Sequence, residues 1–169
     1  MLSLINTSVF ITLLVLAAGT DVRTGRIPNK LTGAGLVAAL LLLAPSGPAA
    51  LGGGVAGAAI AFGLTFPLFA VRALGGGDVK LLVMAGAFLG TGRVIPALLA
   101  TALAGGVLAL AESARRGVLL PVLYRSRELA GHWASLGRTG ERVSLATPGA
   151  VTVPYGVAIA LGSLAGWFL

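Results

Sequence analysis

Residues 75–80 read GGGDVK and stand directly before the apolar run LLVMAGAFLG at 81–90. The aspartate of this stretch, Asp78, is one of only two in a chain that is 57% hydrophobic and 10% charged. An acidic residue inside or beside a membrane segment is energetically costly, and it is therefore a functional candidate. The three glycines before Asp78 can adopt backbone conformations closed to other residues, and they leave room for another backbone to approach.

The composition of the 169 residues indicates an integral membrane protein with a single domain, 1–169. The mean hydropathy is +1.00, and a soluble domain would carry about 25% charged residues. The chain has no cysteine, which excludes disulfides, thiolate metal sites and cysteine nucleophiles. Its one histidine, His132, cannot form a histidine metal cluster, and we expect no metal and no cofactor. The net charge of +7 comes without an aromatic-rich basic motif, so we expect no nucleic-acid partner.

Six apolar segments are candidate membrane-spanning helices, which need roughly 17 to 25 residues each. They cover residues 2–19, 30–44, 49–71, 79–89, 94–111 and 150–169. The first segment has small residues at 17–19, as a cleaved signal peptide would. Its start, MLSL, carries no basic residue, which favours a retained helix.

The distribution of basic residues predicts the orientation of these spans. Loops 20–30, 72–80 and 112–149 contain every lysine and arginine except Arg93. With six spans these loops share one side, which the positive-inside rule makes cytoplasmic, and both termini lie outside. The loop 112–149 carries Leu, Val, Tyr and Trp among its arginines. This composition predicts an interfacial amphipathic helix, with a solvated basic loop as the alternative.

The two aspartates, Asp21 and Asp78, each stand where a predicted helix meets the cytoplasmic face. Asp78 could simply cap its helix, Asn29 could begin the second helix, and Lys80 could extend to the interface. If the two carboxyl groups come together, one can stay protonated while the other is ionised. An aspartyl protease requires this arrangement, because one group takes a proton from water and the other donates to the peptide carbonyl.

Three stretches resemble the signatures of the type IV prepilin peptidases. DVRTGRIPN at 21–29 resembles the first signature, an aspartate followed six residues later by Ile-Pro-Asn. GGGDVK at 75–80 is similar to the second, Gly-x-Gly-Asp-x-Lys, and VPYGVAI at 153–159 is similar to a third, looser pattern. The resemblance spans about residues 10–165.

The resemblance implies a multi-pass membrane aspartyl endopeptidase that cuts the basic leader from prepilins or pseudopilins at the cytoplasmic face of the inner membrane. By motif match, Asp21 and Asp78 are its catalytic pair, and Gly75 and Gly77 shape the loop beside the cut. Lys80 and Asn29 are supporting residues. Its partners are the prepilin substrate and the lipid bilayer, and the oligomeric state stays open.

One departure from the family pattern limits the expected activity. Larger members carry paired cysteines in an N-terminal region linked to methylation of the new pilin N-terminus with S-adenosylmethionine. This chain has no cysteine, so we expect peptidase activity alone. The short form is similar to the enzymes of tight-adherence pili and to archaeal preflagellin peptidases.

Three other functions compete with this interpretation. A different GxGD protease would cut its substrate within a membrane span, and the early IPN signature argues against it. A small proton-coupled transporter would use the aspartates as relays, but such acids usually lie near the middle of the membrane. A non-enzymatic membrane scaffold would tolerate Asp21→Asn and Asp78→Asn.

Overall fold

The computed structural model describes residues 2–117 and 154–169, and every regular element in these ranges is a helix. The helices are α1 (Leu2–Thr24), α2 (Asn29–Leu43), a short 3-10 helix (Ala44–Ser46), α3 (Pro48–Ala70), α4 (Gly76–Arg115) and α5 (Tyr155–Phe168). The chain forms two compact units, Met1–Gly105 with Pro154–Leu169, and Gly106–Val153. Of the second unit the described part is 106–117, where Arg116 Nε donates to Glu112 Oε1 at 2.6 Å.

Glycine and proline set the helix boundaries in the turn between α1 and α2, which follows Asp21. Gly25, with φ 63°, ends α1 in the left-handed conformation, and its N–H donates to the carbonyl of Asp21 at 2.7 Å. Pro28 precedes α2 in an extended conformation, as expected for a residue that fixes φ and has no N–H to donate. The last turn of α1 therefore carries Asp21, and the chain enters α2 only a few residues later.

The long helix α4 contains a break at Gly90, where φ is 67° and ψ is −174°. This region of backbone conformation is essentially restricted to glycine. We call the segments on either side α4a (76–89) and α4b (91–115). The break falls between the predicted spans 79–89 and 94–111, as the sequence indicated.

Contacts within the first unit show that α4a and α4b run in opposite directions. The ring centroids of Phe10 and Phe88 are 4.9 Å apart, and those of Phe10 and Trp167 are 5.0 Å apart. These contacts gather the C-terminal ends of α4a and α5 near the start of α1. Along α4b, Ala97 faces Gly166 near this end, whereas Gly105 faces Tyr155 at the opposite end of α5. The chain therefore reverses at Gly90.

Close glycine contacts pack α3 against α4a. A Cβ added at Gly57 would collide with the carbonyl oxygen of Gly86, and one added at Gly86 would lie 2.6 Å from the carbonyl oxygen of Gly57. Small residues at membrane helix contacts allow this approach. The largest fully buried side chains of the core are Phe10, Leu14, Leu81, Met84 and Ile159.

Four of the described helices are long and apolar enough to cross a membrane: Ser3–Thr24, Asn29–Ser46, Pro48–Ala70 and Gly76–Arg115. Helix α5 is apolar but shorter. The all-helical prediction is therefore confirmed for the described residues, and these four helices are compatible with a membrane protein, while the six-span count and the orientation of the termini stay predictions. The predicted interfacial helix of loop 112–149 falls almost wholly on residues 118–153, outside the described residues, as does the start of the last predicted span.

All charged side chains of the first unit except Arg93 gather at one end of its helices. We call this the charged end. Its members are Asp21, Arg23, Arg26, Lys30, Arg72, Asp78 and Lys80. Arg93 lies at the opposite end, where its guanidinium is 5.8 Å from the centre of the Trp167 ring.

Candidate active site

The first two signature stretches contact each other at the charged end. The side chain of Ile27 is buried, and a Cβ added at Gly77 would lie 3.3 Å from the Ile27 Cβ. The ammonium group of Lys80 donates a hydrogen bond to Asn29 Oδ1 at 2.9 Å, across 51 residues of sequence. The turn before α2 and the start of α4a are thus joined by one apolar and one polar contact.

Asp21 is held by the first turn of α5. Its side chain is 8% exposed, and its Oδ2 accepts a hydrogen bond from the backbone N–H of Gly156 at 2.8 Å. The first N–H groups of a helix have no partner within the helix, so this bond satisfies an otherwise unpaired donor. Asp21 therefore links the last turn of α1 to the start of α5.

Asp78 is the third residue of α4a and is half-buried. Its carboxylate lies close enough to that of Asp21 for the two charges to repel each other. The carboxylate also turns back toward Gly75, where an added Cβ would lie 2.7 Å from Asp78 Oδ2. An acidic side chain that reaches back to the residue before its helix stabilises the helix start. Asp78 therefore stabilises the start of α4a and also forms the charge pair with Asp21.

A groove of about 500 Å³ lies between α2, α3 and α4a. Three phenylalanines of α3 line its wall, Phe62, Phe66 and Phe69, and Lys80 and Asn29 lie on its border. Neither aspartate lines the groove. The α4a residues that do, such as Val79 and Val83, lie well around the helix from Asp78 by the 3.6-residue period. The groove and the aspartate pair are therefore separate features of α4a.

The structure brings all six sequence-predicted site residues to the charged end. Asp21 and Asp78 form the charge pair, Gly75 and Gly77 fill the turn, and Lys80 bonds to Asn29. Within 2–117 and 154–169, the structure contains no cluster of three or more histidine, aspartate and glutamate residues suited to a metal ion.

Two residues at the site, Tyr155 and Gly156, were not among the predicted site residues. Both belong to VPYGVAI, the third and loosest of the family-like stretches. The family-like pattern identified this stretch. The hydrogen bond from the Gly156 N–H to the side chain of Asp21, 135 residues away, leaves no periodic signal in the sequence.

Comparison with known proteins identifies the family. A family model described as the type IV leader peptidase family matches residues 8–110, which is more than half of the chain and includes both aspartates. A search among curated proteins gave no match, and a search among solved structures gave none either. On the strength of the family match, which covers the same two signature stretches that meet at the charged end, the chain belongs to the type IV leader peptidase family.

Proposed function

We propose that this protein is an aspartic endopeptidase that removes the basic leader of prepilins or pseudopilins at the cytoplasmic face of the inner membrane. The observation that carries the proposal is the convergence of Asp21 and Asp78 from two different helices onto one end of the first unit, where the stretches that contain them contact each other through Ile27 and Gly77. Membership of a leader peptidase family supports the substrate class.

The proposed chemistry needs only water and the two carboxyl groups. One ionised carboxylate takes a proton from a water molecule, whose oxygen attacks the carbonyl carbon of the peptide bond. The other carboxyl group, protonated, donates its proton to the carbonyl oxygen. The C–N bond of the resulting tetrahedral intermediate then breaks, and the leaving amine takes up a proton. Because like charges that share a site resist double ionisation, the pair supplies one acid and one base.

The glycine turn supports access of a peptide to Asp78. The Gly75 side of the Asp78 carboxylate has no side chain, and Gly77 packs against Ile27. A peptide backbone can therefore lie beside Asp78 without meeting a side chain from residues 75–77. Lys80 and Asn29 support the turn from the other side of α4a through their hydrogen bond.

We further propose six membrane spans in a single domain, 1–169, with both termini outside and the active site at the cytoplasmic face. The opposite directions of α4a and α4b support their counting as two spans. The positive-inside rule favours a cytoplasmic location for the charged end. An interfacial helix in loop 112–149 completes this proposed topology.

The test is cleavage of the cognate prepilin in membranes, co-expressed with the wild type, Asp21→Asn or Asp78→Asn. Loss of the leader is followed by immunoblotting, and the membrane level of each variant is measured. We expect each single variant to reduce cleavage at least about a hundredfold, because the acid and the base act as a unit. Glu112→Gln removes a carboxylate that pairs with Arg116 in the second unit, and it should leave cleavage unchanged.

The choice of Asn over Ala at residue 21 separates chemistry from folding. Asn keeps a side-chain oxygen that can accept the N–H of Gly156, whereas Ala removes it. We expect Asp21→Asn to reach normal membrane levels without activity, and Asp21→Ala to be less stable as well. If Asp21→Asn or Asp78→Asn cuts at the wild-type rate, the catalytic pair is refuted.

Mass spectrometry of the product distinguishes a leader peptidase from a protease that cuts within a span. A new N-terminus just before the apolar segment of the pilin agrees with the proposal, whereas one inside that segment contradicts it. If the wild-type protein cuts no prepilin, the result would favour the transporter or the scaffold function instead.

A further inference from the structure

The first turn of α5 contributes a backbone N–H to the aspartate pair. We propose that the backbone N–H of Gly156 is a positioning group for the proposed catalytic pair and fixes the orientation of Asp21. This inference builds on the proposed function, since it assigns a role within the same reaction.

The bond from Gly156 determines which oxygen of Asp21 is available. Oδ2 accepts the Gly156 N–H at 2.8 Å, and the side chain is 8% exposed. One carboxylate oxygen is therefore occupied, and Oδ1 is left to exchange a proton with water or substrate. The partial positive charge of the α5 N-terminus also attracts a carboxylate at this position.

Residue 156 must be glycine for this contact to form. A Cβ added there would lie 2.9 Å from both the Cβ and the Oδ2 of Asp21, closer than real Cβ atoms come. A side chain at residue 156 would push the carboxylate away from the N–H. The hydrogen bond from residue 156 to Asp21 therefore requires the absence of a side chain at this residue.

A purely structural role for the turn is the alternative, in which Asp21 does no more than cap α5. Replacing the Gly156 amide by an ester, through incorporation of glycolic acid, separates the two. The ester removes the N–H without adding a Cβ. It breaks no bond within α5, because first-turn N–H groups have no partner in their own helix.

For the ester at residue 156 in the purified full-length protein, we expect kcat on a prepilin to fall at least about tenfold, since hydrogen bonds to charged groups are among the stronger ones. KM should change less than about twofold, because the substrate-binding surface is intact. The same ester at Gly162, inside α5 and against Thr101, is the control. It removes a hydrogen bond of the helix, so it should lower the melting temperature and leave kcat unchanged.

Gly156→Ala tests the same contact without an ester. The added Cβ would lie 2.9 Å from the Cβ and the Oδ2 of Asp21 and would displace the carboxylate. We again expect kcat to fall at least about tenfold with KM nearly unchanged. Gly162→Ala overpacks the same helix against Thr101, so it should lower the melting temperature and leave kcat unchanged. If the residue 156 ester fails to fold, this pair of variants decides the proposal alone.

Wild-type kcat in both the ester variant and Gly156→Ala would overturn the positioning role and leave the turn as a structural cap. Failure of the proposed function has a different signature, because Asp21→Asn and Asp78→Asn would then keep full activity. The two ideas can therefore fail separately.

Discussion

The reversal at Gly90 decides whether residues 76–115 cross the membrane once or twice, and Gly90→Ala tests it. A Cβ at residue 90 would meet nothing closer than the Gly53 carbonyl oxygen at 3.8 Å, an ordinary contact. The whole penalty therefore comes from φ 67° and ψ −174°, a conformation nearly closed to alanine. Such strain costs about 1–3 kcal/mol. For a chain of this length, 1 kcal/mol corresponds to roughly 2–4 °C in Tm, so we expect a decrease of roughly 2–12 °C.

The matched control is Gly92→Ala, two residues away on α4b. Gly92 is in the helix without a positive φ, and an added Cβ would have no atom within 4 Å. Alanine is favoured over glycine in a helix by about 1 kcal/mol, so the Tm of this variant should stay constant or rise. Thermal unfolding in one detergent is followed by tryptophan fluorescence, because Trp167 packs on Phe10. Equal Tm values for Gly90→Ala and Gly92→Ala would refute the break and favour a continuous helix.

Two further predictions test packing and topology. Gly57→Ala should destabilise the protein by about 1–3 kcal/mol, because the new Cβ collides with the backbone of α4a. Gly53→Ala, on the same helix, adds its Cβ in free space and should not destabilise the protein. Equal melting temperatures for the two variants would contradict the contact between α3 and α4a. The cysteine-free chain also permits single-cysteine labelling with a membrane-impermeant maleimide. Cysteines at Ser46 and Gly92 should react in intact cells and one at Arg72 only after permeabilisation, and labelling of all three from one side would exclude the proposed spans.

The helices were predictable because their signals are local. Apolar runs of near membrane length marked them, and proline and glycine marked their ends. The first three predicted spans differ from α1, α2 and α3 by a few residues at their ends. Gly90 directly follows the fourth predicted span, 79–89, and the reversal occurs there because glycine tolerates the required conformation.

The site was predictable only as far as charge identifies it. Asp21 and Asp78 stood out because acids are rare in an apolar chain. The bond between Lys80 and Asn29 was not foreseen, since each residue had a sufficient local explanation, one as an interfacial lysine and the other as a helix start. The N–H of Gly156 was invisible for a different reason: every residue but proline has such a group, and only the fold determines where it points.

The contacts of the pair also indicate how two carboxylates can share a partly buried site. Asp78 lies in the first turn of α4a, and Asp21 lies against the first turn of α5. Each helix N-terminus carries a partial positive charge of about half an elementary charge. Lys80, the nearest basic residue in sequence to Asp78, bonds to Asn29 instead. The two helix ends therefore oppose the repulsion between the carboxylates, and an α5 that begins elsewhere would remove both its share of this effect and the bond to Asp21.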